Sequence, residues 1–221
     1  MYQSDHPDEP RWIQDQTQFL DALKTAGFSA KVLFSQGDSA KEKANVEALI
    51  SEGIKVLIIC PHDGTAAASA ADLAHSAGVK VISYDRLIRD TTSVDYYVTF
   101  DSFEVGKAWG DHLNSKVPAG TKRNNLYLYA GAASDNNSFI FFEGAWSALQ
   151  PKIADGTYIV RNSDKAAALA KKAKLTRDEA AQIIGQVTTN WNFSDAKNKA
   201  EANLTAAPKE AKGTVYILRL S

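Results

Sequence analysis

An acidic and a basic side chain stand next to each other where a predicted strand ends, at Asp85 and Arg86. A carboxylate only accepts hydrogen bonds, whereas a guanidinium offers five N–H donors in a fixed fork. Together they match hydroxyl groups, which both donate and accept. Asn137, at the start of a predicted helix, adds an amide with both capacities. These side chains indicate a site for a hydroxyl-rich molecule. The alternative interpretation of Asp85 and Arg86 is an ion pair that closes the strand end, and that of residues 134–137 is a helix cap.

Two tryptophans lie beside polar segments of the same kind. Trp12 stands at the start of the first predicted helix, and Trp191 follows Asn190 after a predicted strand. A flat indole can cover the apolar C–H face of a sugar ring while polar groups bind its rim. Large aromatic side chains are more often used to pack a core, so burial is the alternative interpretation of both residues.

Motifs of several common enzyme classes are absent from the sequence. No Gly-x-Gly-x-x-Gly follows a strand, no Gly-x-x-x-x-Gly-Lys-Ser/Thr occurs, and no Gly-x-Ser-x-Gly marks a nucleophile elbow. The four histidines lack the spacing of metal ligands, and the single cysteine, Cys60, lies in an apolar strand where we expect it to be buried. We therefore expect no catalytic residue, no metal and no cofactor.

The composition is that of a soluble, folded protein. Of 221 residues, 44% are hydrophobic and 23% are charged. The 25 basic and 26 acidic residues give a net charge of −1, which offers no broad basic surface, so no nucleic-acid partner is expected. The first residues of the sequence do not show the basic segment followed by an apolar run that is typical of a signal peptide.

The order of hydrophobic periods predicts repeated β-α units and hence an α/β fold. The first series has strands at 31–34, 56–59, 79–83 and 96–100 and helices at 10–27, 39–52, 64–77 and 102–115. A turn-rich stretch at 117–122 precedes the second series, which has strands at 126–129, 158–160, 186–188 and 214–218. Its helices are predicted at 136–150 and 194–206, with two polar helices over 164–184. We predict two doubly wound parallel-sheet lobes, an N-terminal one at 1–116 and a partial C-terminal one at 117–221. Ligands bind beyond the carboxyl ends of such strands, where Asp85, Arg86 and Trp191 stand.

A series of segments in order along nearly the whole chain carries a family resemblance. The segments are Arg11-Trp12, Lys55-Val-Leu-Ile-Ile59 with Asp63-Gly64, Gly78-Val-Lys-Val-Ile-Ser-Tyr-Asp-Arg86, Asp95-Tyr-Tyr-Val-Thr-Phe-Asp101 with Val105-Gly106, and Asp135-Asn-Asn137 with Gly144 and Leu149-Gln-Pro151. They resemble the periplasmic xylose-binding and multiple-sugar-binding proteins, which are type I periplasmic binding proteins of bacterial ABC sugar importers. The Tyr-Asp-Arg and Asp-Asn-Asn segments are the most specific part of this resemblance.

The resemblance implies two lobes that close by a hinge on a monosaccharide in the cleft between them. The residues that match the family's sugar-binding positions are Arg11, Trp12, Asp85, Arg86, Asp135, Asn137 and Trp191. The arginines and Asp85 would bind hydroxyls from the first lobe, Asn137 with Asp135 would bind them from the second, and the tryptophans would sandwich the ring. Because both lobes contribute contacts, the sugar would favour the closed form.

The same resemblance implies the partners and the location. The ligand would be a monosaccharide of the xylose, glucose, galactose or arabinose class, bound without chemical conversion. The protein would be a monomer that serves the membrane subunits of an ABC transporter, and it would be either periplasmic or extracellular and anchored to the membrane.

Three other functions stay open at this point. A ligand domain that feeds a membrane histidine kinase or a chemoreceptor would use the same cleft. The core of a LacI-type repressor has the same fold but follows a helix-turn-helix, which we do not find before residue 10. A small α/β enzyme is the third alternative.

The chain also departs from the family. We expect the first strand of the first lobe and the part beyond 214–218 to be missing, and residues 162–184 are longer than usual. Ser102 stands where the family commonly has Asn. We expect this fragment to bind sugar weakly or not at all, because several hydroxyls would lack partners.

Overall fold

The computed structural model describes residues 2–4, 10–209 and 214–220, and the chain divides into two compact units, residues 1–100 and 101–221. The elements of the first unit are β1 (Tyr2–Ser4), α1 (Pro10–Thr25), β2 (Val32–Phe34), α2 (Ser39–Ser51), β3 (Val56–Ile59), α3 (Ala68–Ser76), β4 (Lys80–Tyr84) and β5 (Tyr96–Val98). Those of the second are α4 (Ser102–Lys116), β6 (Asn124–Tyr129), α5 (Asn136–Ala154), β7 (Tyr158–Val160), α6 (Asp164–Ala168), α7 (Arg177–Val187), α8 (Phe193–Thr205) and β8 (Val215–Arg219).

The strands of the first unit form a parallel sheet in the order β2-β1-β3-β4-β5. Side chains of α2, β3 and α3 pack into one core, in which Leu49, Leu57 and Ile59 are fully buried. Each such side chain contributes about 1.5–3 kcal/mol through its burial. Because the strands run in one direction, their carboxyl ends lie at the same edge of the sheet, and Asp85 follows β4 there.

The first strand corrects one expectation from the sequence. We expected this strand to be missing, whereas Tyr2–Ser4 form β1 and pair with both β2 and β3. A strand of three residues is too short to display an apolar run or an alternating pattern, so sequence periodicity does not reveal it.

The second unit has a parallel sheet in the order β7-β6-β8. Leu126 and Leu128 of β6 are buried in a core with side chains of α5 and α7, among them Phe142 and Ile183. Both sheets are thus parallel and packed against helices, and the predicted α/β fold class is confirmed.

Helix α4 lies in the second unit, and the division of the chain falls at Phe100 and Asp101 instead of at 116/117. The backbones of α4 and α5 approach closely through glycines. A Cβ atom at Gly106 would come within 3.0 Å of the backbone of Phe141, and one at Gly144 would meet the backbone of Phe103 equally closely. The turn-rich stretch at 117–122 therefore connects α4 to β6 within one unit.

Helix α7 replaces the strand predicted at 186–188. The helix continues to Val187, because Ile183, Ile184 and Val187 recur at helical spacing and are buried. Thr188 makes an isolated parallel bridge with Ala130.

Candidate functional site

Arg11 and Asp85 form an ion pair where the first turn of α1 meets the end of β4. Nη2 of Arg11 donates a hydrogen bond to Oδ2 of Asp85. The Arg11 side chain is 50% exposed and that of Asp85 is 13% exposed. Burial lowers the pKa of Arg11, but the carboxylate of Asp85 outweighs this effect, and the pKa is raised above its ordinary value. Arg11 is therefore a permanent cation beside a better shielded acid.

Asp85 stands in a strained turn. Its φ of 63° lies in the left-handed region, which Asp tolerates better than most residues. The N–H of Arg86 donates to the carbonyl of Tyr84 at 2.7 Å across this residue, as in the rare γ-turn with positive φ. The hydroxyls of Tyr97 (3.1 Å) and Thr99 (2.9 Å) both donate to the carbonyl of Asp85. Such strain persists where the surroundings hold it, and it concentrates at ligand sites.

Arg86 is buried, with 6% of its surface exposed. Its Nη1 donates to the carbonyl of Pro61 at 3.3 Å. The hydroxyl of Ser83 donates to the carbonyl of Arg86 at 2.6 Å and accepts the N–H of Ile88 at 3.1 Å. Ser83 thus anchors the loop that carries Asp85 and Arg86.

Trp12 lies beneath the two arginines. It is 2% exposed and packs with Cys60, which is fully buried as the sequence predicts. The guanidinium of Arg11 lies over the Trp12 ring at 4.4 Å from its centroid, and that of Arg86 at 5.7 Å. Such cation–π contacts stabilise a guanidinium by about 0.5–2 kcal/mol. Trp12 is both a core residue, as its alternative interpretation predicts, and the surface on which Arg11 rests.

Asp135 caps helix α5, whose first turn carries Asn137. The Oδ1 atom of Asp135 accepts the N–H of Asn137 at 2.8 Å, which confirms the cap interpretation for Asp135. Asn137 is 3% exposed, and the hydroxyl of Ser102 lies 3.5 Å from its Oδ1. Ser102, the departure from the family noted above, is thus a neighbour of the candidate amide.

Trp191 lies against Gly131 in a strained conformation. Asn190 and Trp191 have left-handed φ values of 52° and 59°, and for a side chain as large as Trp this is a true outlier. The half-buried indole packs edge-to-face on Phe141, with ring centroids 6.4 Å apart. Its N–H is buried and has no hydrogen-bond acceptor among the residues the structure describes.

Two threonines tie the segment before Trp191 to the end of β6. Thr188 Oγ1 donates to the carbonyl of Gly131 at 2.7 Å, and the N–H of Thr189 donates to the carbonyl of Ala130 at 2.7 Å. Asp135 closes the same loop, which runs from 130 to 135. Asp135, Asn137 and Trp191 therefore all lie at the carboxyl end of β6, as the rule for parallel sheets predicts.

The structure thus brings the predicted residues together in two groups, one in each unit. Arg11, Trp12, Asp85 and Arg86 form the first, and Asp135, Asn137 and Trp191 form the second.

Sequence reasoning missed Asp15, Ser83 and Gly131, which contact members of these groups. The spacing of Asp15 from Arg11, four residues along a helix, was a usable signal. No signal in the sequence indicates the contacts of Ser83 and Gly131, because these contacts depend on tertiary packing.

Within residues 2–4, 10–209 and 214–220, no helix has the length and apolar character needed to cross a membrane. The same residues contain no cluster of three or more His, Cys, Asp and Glu side chains that could hold a metal ion.

Comparison with known proteins identifies relatives along the whole chain. The model of the periplasmic binding protein domain matches residues 4–217. The crystal structure of a carbohydrate transporter solute-binding protein from Chloroflexus aurantiacus, in complex with D-glucose, superposes with a TM-score of 0.93 and 66% identity, and the match covers 98% of this chain and 63% of that one.

Two curated relatives agree with this match. The multiple sugar-binding periplasmic receptor ChvE of Rhizobium radiobacter is 37% identical over 70% of this chain and 44% of its own length. The D-xylose-binding periplasmic protein of Haemophilus influenzae is 32% identical over 84% of this chain and 53% of its own. The chain thus spans about half the length of these relatives, and the residues from 4 to 217 belong to the periplasmic binding protein domain family.

Proposed function

We propose that this chain is the sugar-binding part of a substrate-binding subunit of a bacterial ABC importer. It holds a monosaccharide by hydrogen bonds and ring stacking and does not convert it. The observation that carries this proposal is the cluster of Arg11, Trp12, Asp85 and Arg86 at one strand end. Membership of the family and the names of its relatives support the same function.

The charges of the cluster suit a neutral, hydroxylated ligand. Arg11 and Arg86 of the cluster carry two positive charges and Asp85 carries one negative charge; the neighbouring Asp15, whose Oδ2 lies 3.9 Å from Nε of Arg11, supplies a second negative charge. Each hydroxyl of a sugar can donate to a carboxylate and accept from a guanidinium. A charged ligand would unbalance this set, whereas a neutral sugar leaves the balance intact.

Aromatic contacts would supply the second part of the binding energy. Trp12 is the aromatic side chain proposed for the first unit, and the guanidinium of Arg11 lies over its ring. Trp191 is half-buried and preorganised by its strained backbone. Asn137 and Asp135 are the proposed polar groups of the second unit.

The substrate we propose is an aldopyranose such as D-glucose or D-xylose. The Chloroflexus aurantiacus protein holds D-glucose in its crystal structure, and the Haemophilus influenzae relative is named for D-xylose. These sugars differ by one exocyclic CH₂OH group, a difference that pocket volume decides.

We propose the periplasm as the location, membrane subunits of an ABC transporter as partners, and a monomeric state. A sensing role is a second candidate, because the Rhizobium radiobacter relative is named a receptor.

A titration followed by ¹⁵N NMR tests the sugar-binding proposal on the 221-residue chain. D-glucose and D-xylose, added up to tens of millimolar, should shift the backbone signals of residues 11–12, 84–86, 135–137 and 188–191. D-sorbitol is the matched control, since it is the open-chain polyol with the stereocentres C2–C5 of glucose and has no ring face for an indole. Equal shifts with sorbitol would contradict ring stacking.

A chimera tests the proposal without depending on the weak sugar binding expected of the 221-residue chain alone. In it, this chain replaces the 63% of the Chloroflexus aurantiacus protein that it matches. Calorimetry should then give D-glucose binding that Asp85→Asn weakens at least tenfold. A well-folded chimera that binds neither sugar would overturn the proposal.

A further inference from the structure

Arg11 faces two carboxylates at once. Its Nη2 donates to Asp85, while its Nε lies 3.9 Å from Oδ2 of Asp15. The side chain of Asp15 is 17% exposed and that of Asp85 is 13% exposed, compared with 50% for Arg11. Because the guanidinium offers five donors in a planar fork, different nitrogens can serve the two acids simultaneously.

Asp15 is itself held in place. It lies four residues after Arg11 on α1 and so shares a helix face with it. The hydroxyl of Tyr84 donates to Oδ2 of Asp15 at 3.2 Å. The Tyr84 ring is fixed edge-on against Phe19, with centroids 5.1 Å apart. Burial first, and Asp15 second, raise the pKa of Tyr84 to about 12, so that its hydroxyl stays a donor at neutral pH.

The two acids differ in what they can do when a sugar arrives. Asp85 is a proposed ligand of sugar hydroxyls, and any hydroxyl that donates to it competes with Arg11. Asp15 already has the Tyr84 hydroxyl as a donor and lies on the helix that carries Arg11. If Asp15 were absent, a sugar that took over Asp85 would leave the half-exposed Arg11 without that ion pair, and Arg11 would regain rotamer freedom. Ordering the side chain again would then oppose binding.

We propose that Asp15 is a positioning residue of the sugar site: it keeps Arg11 at the site when Asp85 exchanges its bond with Arg11 for bonds with a sugar. The inference rests on the proposed function. Asp15 does not touch the sugar in this scheme and acts through Arg11. Tyr84 supports it by fixing the carboxylate of Asp15.

The hold of Asp15 on Arg11 can be measured without any sugar. The Nε–H signal of Arg11 in ¹⁵N NMR reports whether the guanidinium is ordered. Asp85→Asn should leave this signal ordered, because Asp15 remains. The double variant Asp15→Asn with Asp85→Asn should release it, with a fall of the heteronuclear NOE toward that of a free arginine. If Asp85→Asn alone releases Arg11 as fully as the double variant, the inference is wrong.

Sugar affinity tests the second half of the inference. In the chimera, Asp15→Asn should weaken binding of D-glucose about threefold to tenfold, and Tyr84→Phe should weaken it less but in the same direction. Asp21→Asn, an exposed acid on the same helix, is the matched control and should leave affinity unchanged. Equal affinity for Asp15→Asn and wild type would overturn the inference. Absence of sugar binding by the unmutated chimera, with Arg11 still ordered in Asp85→Asn, would instead count against the proposed function.

Discussion

The indole of Trp191 rests against Gly131 so closely that a Cβ atom at Gly131 would lie well within 3.0 Å of the ring. Gly131 therefore sets the position of Trp191. Gly131→Ala should displace the indole and destabilise the protein by about 1–3 kcal/mol, as overpacking does. Urea unfolding gives the stability, and calorimetric titration of the chimera with D-glucose gives the effect on binding, where we expect a clear loss of affinity.

Gly185→Ala is the matched control for this substitution. Gly185 lies in α7, and a Cβ there meets no atom within 4 Å. Alanine in a helix interior should stabilise the protein by about 0.5–1 kcal/mol. Equal effects of the two substitutions would show that Gly131 has no special role.

Asp85→Asn separates the charge of this residue from its backbone conformation. Asparagine also tolerates the left-handed φ of 63°, so the turn should persist and the melting temperature should stay close to that of the wild type. The loss of a charged acceptor should weaken sugar binding by about tenfold or more. Calorimetry on the chimera checks the affinity and thermal unfolding of the same samples checks the melting temperature; unchanged affinity would exclude Asp85 from the site.

Ser83→Ala tests the anchor of the loop that carries Asp85. The substitution removes the partner of the Arg86 carbonyl and of the Ile88 N–H in a fully buried place. We expect a loss of about 1–3 kcal/mol in unfolding free energy, together with weaker sugar binding. Ser51→Ala, which removes an exposed hydroxyl bonded within α2, should change stability by less than about 0.5 kcal/mol.

The lowered pKa of Asp155 predicts that this residue contributes to stability in a way that depends on pH. The hydroxyl of Thr157 first, then Lys122 and the backbone N–H of Thr157, lower its pKa from 3.8 to about 2. Because the folded state has the lower pKa, the contribution is complete above about pH 4 and is lost as the pH falls toward 2. Unfolding free energies of wild type and Asp155→Asn should converge over this window; parallel curves would contradict the assignment.

The sequence predicts the longer elements well because their patterns repeat. Val56–Ile59 is an uninterrupted apolar strand, and the structure has β3 at the same bounds. Helix α7 shows the limit, since Val187 fits an apolar strand locally but completes a buried helical stripe with Ile183. The predicted domain boundary at 116/117 differs from the division that the structure shows for a related reason. The contact of α4 with α5 depends on glycines far apart in the sequence, and local turn signals do not indicate it.

The candidate site is predictable in its residue types and less so in its geometry. Strand-end position and donor–acceptor chemistry identify Asp85 and Arg86, whereas Arg11 enters through the family resemblance alone. No local sequence pattern indicates that Trp191 adopts a left-handed φ, because the surrounding chain imposes this conformation.

The place of β1 affects the order in which the first sheet can be assembled. Tyr2–Ser4 precede both of their partners, residues 32–34 and 58–59, in the sequence and are therefore synthesised before them. If β2 paired directly with β3, β1 could no longer take its position between these two strands. Tyr2–Ser4 must therefore remain without a strand partner on one side until Ile59 has been synthesised.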